Sequence, residues 1–326
     1  MTVLVTGATG FLGSHLALAL RDTGVVATGR DHAKLDRLAA HGVRCVPIDL
    51  SRPVAQADRD RIGPISAVVH CAGLSSPWGA RSAFETANVA GTRTIADLAQ
   101  AMGVARFVQI STASVYFQFL DQDNLTEDAL PPRFINHYAA TKRQAEIDVL
   151  SRRDINPVVL RPRGIYGAGD TALLPRLMRV AKRRPVPRFH PCGATDITHV
   201  DDVVGACRAA LSHTVGGVFN ISGGEGIALP DIISAACAAS DVPLRWRTLP
   251  FAPTLQAVRA LEALARVLPH RPEPPVTAYG LGILRYRQTV NIDRAKDLLG
   301  WKPQVSFADG LARTFSNGAL RQGVIS

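Results

Sequence analysis

Residues 3–13 read Val-Leu-Val-Thr-Gly-Ala-Thr-Gly-Phe-Leu-Gly. An apolar strand, a glycine turn and a helix start follow one another without a spacer, which commits this end of the chain to a β–turn–α unit. Gly7 permits the tight turn, Gly10 lets the backbone approach a pyrophosphate, and Gly13 lets helix and strand pack closely. The helix starting near Phe11 offers unpaired N–H groups and a positive dipole end to an anion. Glycines in such a turn can also do no more than make the turn, so the motif needs a partner. That partner is Tyr138-Ala-Ala-Thr-Lys142. Together the two segments point to a nicotinamide-dependent enzyme.

The opening unit is followed by more of its kind. Strands are expected at Val3–Thr6, Val25–Gly29, Arg44–Ile48, Ile65–Cys71, Arg106–Ser111 and Pro157–Arg161. Helices alternate with them at Phe11–Thr23, Lys34–His41, Ala80–Met102 and Tyr138–Leu150. Short apolar strands alternating with helices predict an α/β fold, a doubly wound parallel sheet with right-handed crossovers. After Arg161 prolines multiply and the alternation breaks. A helix at Ala172–Lys182 is followed by returns to the sheet near Asp196–Val200 and Val218–Ile221, with helices at Asp201–Ser212 and Leu229–Ala239. A strand near Leu244–Leu249, a helix at Phe251–Leu268, a proline joint at Pro269–Pro275, two more helices and a polar tail from Gly318 complete the reading. The division expected is a dinucleotide-binding domain over 1–162, with returns near 195–221. A smaller, mainly helical substrate lobe spans 163–194 and 222–318, and 319–326 is a tail.

Composition limits the partners. Apolar residues make up 47% and charged residues 20%, which is a globular rather than a disordered balance. The net charge of +10 is mostly arginine and suits phosphate-bearing cofactors, acidic substrates or an anionic surface. No aromatic-interleaved basic platform accompanies it, so nucleic acid is not expected. Cys45, Cys71, Cys192, Cys207 and Cys237 are odd in number and lack Cys-x-x-Cys spacing, so neither a disulfide frame nor a metal site is expected. A core strand beginning at residue 3 and the lack of a long apolar span imply a cytoplasmic chain without a transmembrane segment.

Tyr138 and Lys142 stand one helical turn apart and face the same way. A lysine ammonium there can lower the phenol pKa and make the tyrosine a proton donor or acceptor near neutrality. The hydroxyls of Ser111-Thr112-Ala113-Ser114 end the preceding strand, where one of them can bind a substrate carbonyl. Strand two ends Val26-Ala27-Thr28-Gly29-Arg30, with glycine where an enzyme for the unphosphorylated dinucleotide places an acid. Arg30 can clamp a 2′-phosphate and Lys34 can add a point charge, so NADP(H) is preferred, with NAD(H) as the alternative and Asp31 as the acid one residue beyond. Leu255, Val258, Leu261, Leu264 and Leu268 form a stripe at helical spacing, read by default as core. The sharper readings are a substrate tunnel or a membrane-facing helix. Lys182-Arg183-Arg184 with Arg188 reads as a solvated loop, or as an anion anchor at a pocket mouth.

In order along the chain, TGATGFLG (Thr6–Gly13), HCAG (His70–Gly73), NVAGT (Asn88–Thr92), STASVY (Ser111–Tyr116), YAATK (Tyr138–Lys142), LRPRGIYGAGD (Leu160–Asp170), THVDD (Thr198–Asp202) and LGWKPQVSFADGL (Leu299–Leu311) resemble an extended short-chain dehydrogenase/reductase. This is the NAD-dependent epimerase/dehydratase family, with a Rossmann fold. The resemblance implies Thr112 as the catalytic hydroxyl, Tyr138 as acid/base, and Lys142 as the ribose-binding, pKa-lowering residue, with Asn88 supporting the site. It places Asp49 and Leu50 beside the adenine. It also implies cofactor contacts at Gly7, Thr9, Gly10, Phe11, Leu12, Gly13, Cys71, Ala72, Gly73, Pro162, Gly164 and Ile165. Substrate contacts follow at Ser75, Trp78, Ser114 and Arg163, and a homodimer through the helices at Ala80–Met102 and Tyr138–Leu150.

Four departures narrow the activity. Ala113 and Ser114 replace the Asp-Glu of similar sugar dehydratases, and Arg161-Pro162-Arg163-Gly164 replaces the Arg-Tyr-Phe-Asn of nucleotide-sugar enzymes. Thr195-Asp196-Ile197 lacks their diphosphate arginine. Trp78-Gly79 and RPRGIYG are similar to the 3β-hydroxysteroid dehydrogenase-like branch, which includes bacterial 2-alkyl-3-oxoalkanoate reductases. The implied activity is ketone–secondary alcohol redox on a mainly apolar small molecule. A sugar-nucleotide epimerase and a non-enzymatic NADP(H) sensor are the alternatives.

Overall fold

Val3, Leu4 and Val5 of the first strand are wholly buried, and alternate residues face opposite layers: Val3 and Val5 join one core, Leu4 the other. A strand apolar on both sides needs helices on both sides, which forces a three-layer architecture. The computed structural model describes residues 1–268, 270 and 272–315, so the expected tail from Gly318 lies outside the described residues. Its main sheet has seven parallel strands: β1 (Val3–Thr6), β2 (Val25–Gly29), β3 (Arg44–Pro47), β4 (Ala67–His70), β5 (Arg106–Ile110), β6 (Pro157–Pro162) and β7 (Gly217–Ile221). Their spatial order is β7-β6-β5-β4-β1-β2-β3, so the winding reverses at β1, and the crevice at its carboxyl end is where such sheets bind ligands.

Helices α1 (Phe11–Ala19) and α2 (His32–Ala40) share one face with the later helix Val200–Ser212, through Leu12, Leu16, Leu38, Val203 and Ala206. The opposite face is covered by Gln56–Ile62, Gly91–Ala101 and His137–Leu150, through Ile62, Ile95, Leu98 and Val149. The first helix is shorter than expected, ending at Ala19 before a 3-10 turn at Arg21–Thr23. The second starts earlier, at His32, because Asp31 caps it by accepting from the Lys34 N–H. The long helix expected over 80–102 spans 81–101, with a π-helical turn at Glu85–Ala90.

The second half departs further from the periodicity. Thr198–His199 does not return to the main sheet; it pairs with Ile165–Tyr166 instead. Ala194–Thr195 belongs to a separate four-stranded sheet with Ile227–Ala228, Gln288–Val290 and Gln122–Leu125. Strands of two to four residues, several of them polar, carry no readable alternation, and their partners lie far away in sequence. Trp246–Thr248 is shorter than the expected 244–249 and pairs with Val186–Arg188. After residue 275 there are three helices among the described residues, not two: Ala278–Arg285, Asp293–Leu299 and Phe307–Phe315, with the strand Gln288–Val290 between the first pair. The 255–268 stripe is core only at Leu255 and Val258, each 8% exposed. Leu261 and Leu264 are each 55% exposed and Leu268 43%, because among the described residues no element packs against their side of the helix Phe251–Val267.

Candidate active site

At the carboxyl end of β1, Gly7 takes φ +67°, and a Cβ there would sit 2.6 Å from the Ala72 nitrogen. A Cβ on Gly13 would overlap the Gly7 carbonyl. Both glycines are therefore required by the close approach of α1 to β1 and to the end of β4. Gly10 caps α1 with no side-chain hydrogen bond to its first turn. Thr9, Phe11 and Leu12 follow the same turn. Cys71, Ala72 and Gly73 continue β4 beside it, and the Ala72 N–H donates to the Thr6 hydroxyl. Burial pushes the Cys71 thiol up to about 12, so it is an inert thiol at neutrality.

A buried relay connects this turn to the π-helical turn. The Thr92 hydroxyl donates to the Asn88 carbonyl at 2.6 Å, so His70 Nε2, 3.1 Å away, must donate to Thr92. His70 Nδ1 then accepts from the Thr6 hydroxyl at 2.6 Å. Burial, aided by the Lys142 charge, pushes the His70 pKa down to about 3, so the ring stays neutral. Asn88 itself clamps the loop after β4: its Oδ1 accepts from the Leu74 N–H at 2.7 Å, and its Nδ2 donates to the Leu74 carbonyl and to the Thr141 hydroxyl. Sequence reasoning gave His70 no role. Thr6, His70 and Thr92 lie far apart in sequence, so the relay leaves no local signal.

Tyr138 and Lys142 lie on the helix His137–Leu150, capped by Asn136, whose side chain accepts from the Ala139 N–H at 2.9 Å. The Tyr138 phenol faces the Ser75 and Thr112 hydroxyls, both of which act to lower its pKa, which brings three predicted residues together. The Thr112 hydroxyl accepts from the Ser114 N–H at 3.1 Å, leaving its own proton to donate. The expected lowering of the phenol pKa is not found. Burial raises Tyr138, with the Ser75 and Thr112 hydroxyls opposing, because the Lys142 ammonium points elsewhere. Its Nζ donates to the Ile110 carbonyl at 2.5 Å. Burial lowers the Lys142 pKa to about 8, opposed chiefly by Glu146.

Behind this pair lies a network that sequence reasoning missed. Glu146 accepts from Arg161 at 2.8 and 2.7 Å, from Ser111 at 2.5 Å and from Arg143 at 2.9 Å. Arg161 also donates to the Tyr116 hydroxyl, and Tyr116 to Asn220. The missing signal is long-range: in the sequence Glu146 is merely one more polar residue on the helix His137–Leu150.

The predicted substrate residues fall in two places. Ser114 Oγ lies 2.9 Å from the Tyr279 hydroxyl, and the Tyr279 ring packs edge-on to Phe117 at 5.0 Å. Phe119, Tyr286 and Phe251 extend this aromatic row. Trp78 sits under the Arg266 guanidinium at 5.3 Å. Arg163 is different: it is buried, its Nε donates to Thr195 at 2.7 Å, and its charge faces Asp196, whose pKa burial pushes up to about 6. Pro162 ends β6. Gly164 follows at φ +47° with its Cα against Ile197, and Ile165 opens the small strand beyond.

At the opposite end of the crevice, a Cβ on Gly29 would meet the Thr9 side chain at 2.6 Å, so an acid there would have to displace Thr9. Asp31 is engaged in its helix cap. Arg30 is exposed, and Lys34 and Arg37 line a small cleft with Ala8 and Thr9. Asp49 is exposed and accepts from the Ser51 N–H, and Leu50 packs against the core facing Gly91–Ala101.

The model of the NAD dependent epimerase/dehydratase family matches residues 3–222. An uncharacterised protein of Escherichia coli K12, YbjS, is 32% identical over 96% of each chain. A 2-alkyl-3-oxoalkanoate reductase of Stenotrophomonas maltophilia is 32% identical over 98% of this chain and all of its own. Among solved structures, MoeE5 in complex with UDP-glucose and NAD superposes with a TM-score of 0.73 at 27% identity, covering 98% of this chain and 99% of that one.

Proposed function

The chain belongs to the NAD-dependent epimerase/dehydratase family, and from that premise we propose that it is an NADP(H)-dependent oxidoreductase interconverting a ketone and a secondary alcohol on a mainly apolar substrate. The observation that carries this reading is the aromatic row beginning at Tyr279, 2.9 Å from Ser114 and next to the Tyr138–Thr112 pair. Aromatic side chains of this kind suit an apolar substrate body. The 2-alkyl-3-oxoalkanoate reductase relative supports the same class.

The cofactor, when bound, supplies or accepts the hydride. The first-turn N–H groups of α1 and the close-packed Gly7–Gly13 turn fit its pyrophosphate, and Arg30 and Lys34 fit a 2′-phosphate. Lys142 holds the ribose, Thr112 donates to the substrate oxygen, and Tyr138 Oη passes the proton to that oxygen or takes it back. The lobe formed by 163–194 and 222–318 shapes the substrate pocket. Assembly as a homodimer through the helices at 81–101 and 137–150 belongs to the same reading.

Consumption of NADPH and NADH against 3-ketosteroids, 2-alkyl-3-oxo acids, aromatic ketones and UDP-sugars tests it. Tyr138-dependent NADPH oxidation with an apolar ketone is expected. UDP-sugar interconversion with no net nicotinamide turnover would replace this reading by an epimerase, which the likeness to MoeE5 with UDP-glucose and NAD keeps as the second candidate.

A further inference from the structure

Residues 172–190 and 242–268 hold ten cations and one acid, a net of +9 against +10 for the whole chain. Distant in sequence, the two stretches are joined in the fold: Val186–Arg188 pairs in parallel with Trp246–Thr248. Lys182, Arg183, Arg184, Arg188, Arg245 and Arg247 are all exposed on or beside this ribbon, and none forms an ion pair with another described residue. Arg188 lies over the half-buried Trp246 ring at 5.9 Å.

The helix Phe251–Val267 leaves the ribbon directly, and the Leu249 N–H still bonds the Arg188 carbonyl. Its inner face is Leu255, Val258, Glu262 and Ala265. The outer face carries Leu261 and Leu264 at 55% exposure and Val267 at 78%, with Leu268 following. Arg259 and Arg266 are the charges exposed on this helix. Glu262, its one acid, is turned inward, where it accepts from the Ala278 N–H at 2.8 Å. Arg266 also reaches Trp78, so this end of the helix abuts the loop that brings Ser75 to Tyr138.

We propose that this face seats on an anionic phospholipid bilayer, with headgroup phosphates on the ribbon cations and Leu261, Leu264 and Val267 in the acyl boundary. Amphipathic elements with arginine beside leucine bind in this way, and basic residues are drawn to anionic lipid. A polynucleotide would match the charge but leave the leucines in water. A second copy meeting through the same patch would set +9 against +9.

The test is flotation of the full chain with phosphatidylcholine vesicles, with and without phosphatidylglycerol. Wild type is expected to float only with the phosphatidylglycerol vesicles. Leu261→Ser/Leu264→Ser/Val267→Ser and Arg183→Glu/Arg184→Glu/Arg247→Glu should each reduce the bound fraction ~10-fold or more, while turnover of a water-soluble ketone stays at the wild-type level. No flotation with either vesicle, or full flotation of the leucine variant, would overturn the proposal. So would retardation of a DNA duplex without vesicle binding, or a dimer in sedimentation that the leucine variant abolishes.

Discussion

Glu146 stands one helical turn beyond Lys142, yet its carboxylate is held by Arg161 at 2.7 and 2.8 Å and not by the lysine. Burial would raise the Glu146 pKa, but the bonds and charge of Arg161 outweigh it and hold the acid ionised. The acid therefore tempers the lowering of Lys142 while neutralising a buried arginine. The charge state of Lys142 and the packing of β6 against its helix thus depend on one carboxylate.

Glu146→Gln should consequently do two things. It leaves Arg161 buried without its counter-charge, a loss of about 3–5 kcal/mol that denaturant unfolding would register. It also removes the main influence keeping the Lys142 pKa up to about 8, so the basic limb of NADPH affinity should move to lower pH. An unchanged limb would mean that the lysine does not set it.

Tyr138→Phe keeps the ring and removes the hydroxyl proposed to carry the proton. Turnover should fall by ~10²–10⁴-fold, while NADPH binding followed by fluorescence changes little. Thr112→Ala should lose turnover as well, because Thr112 holds the donor proton that Ser114 N–H leaves free.

In the proposed reading, cofactor choice rests on Thr9, Gly29 and Arg30. Arg30→Ala should weaken NADPH by ~10–100-fold and leave NADH unaffected, as expected for a charge-assisted contact to phosphate. Gly29→Asp alone should damage both, since its Cβ meets Thr9 at 2.6 Å. Thr9→Gly with Gly29→Asp should relieve that clash and favour NADH in a titration of both cofactors.

His70 is neutral in the fold down to about pH 3, whereas an unfolded histidine gains its proton near 6.5. Unfolding therefore takes up a proton throughout that window. This contribution is absent above pH 6.5, and stability is lost as pH falls, by about 1.4 kcal/mol per unit. His70→Gln should lack that part of the slope. Asp196, raised to about 6, acts in the opposite direction but equally in both proteins, so the difference in slope between them isolates the histidine.

Short-range pattern was enough to determine the nucleotide-binding half. The glycine turn at 7–13, the buried alternation of Val3, Leu4 and Val5, and the one-turn spacing of Tyr138 and Lys142 are set within a few residues, where steric and helical periodicity leave little choice. Tertiary structure decided everything that depends on which surface finds a partner. It set Thr198–His199 against Ile165–Tyr166, Tyr279 against Ser114 and Glu146 against Arg161, and it joined two cationic stretches into one ribbon. The leucine stripe shows the reason most plainly. A three-residue spacing drifts by about 60° around a helix at each step, so Leu255 and Val258 fall on the face that finds packing neighbours, with Glu262 and Ala265, while Leu261 and Leu264 turn to the outer face.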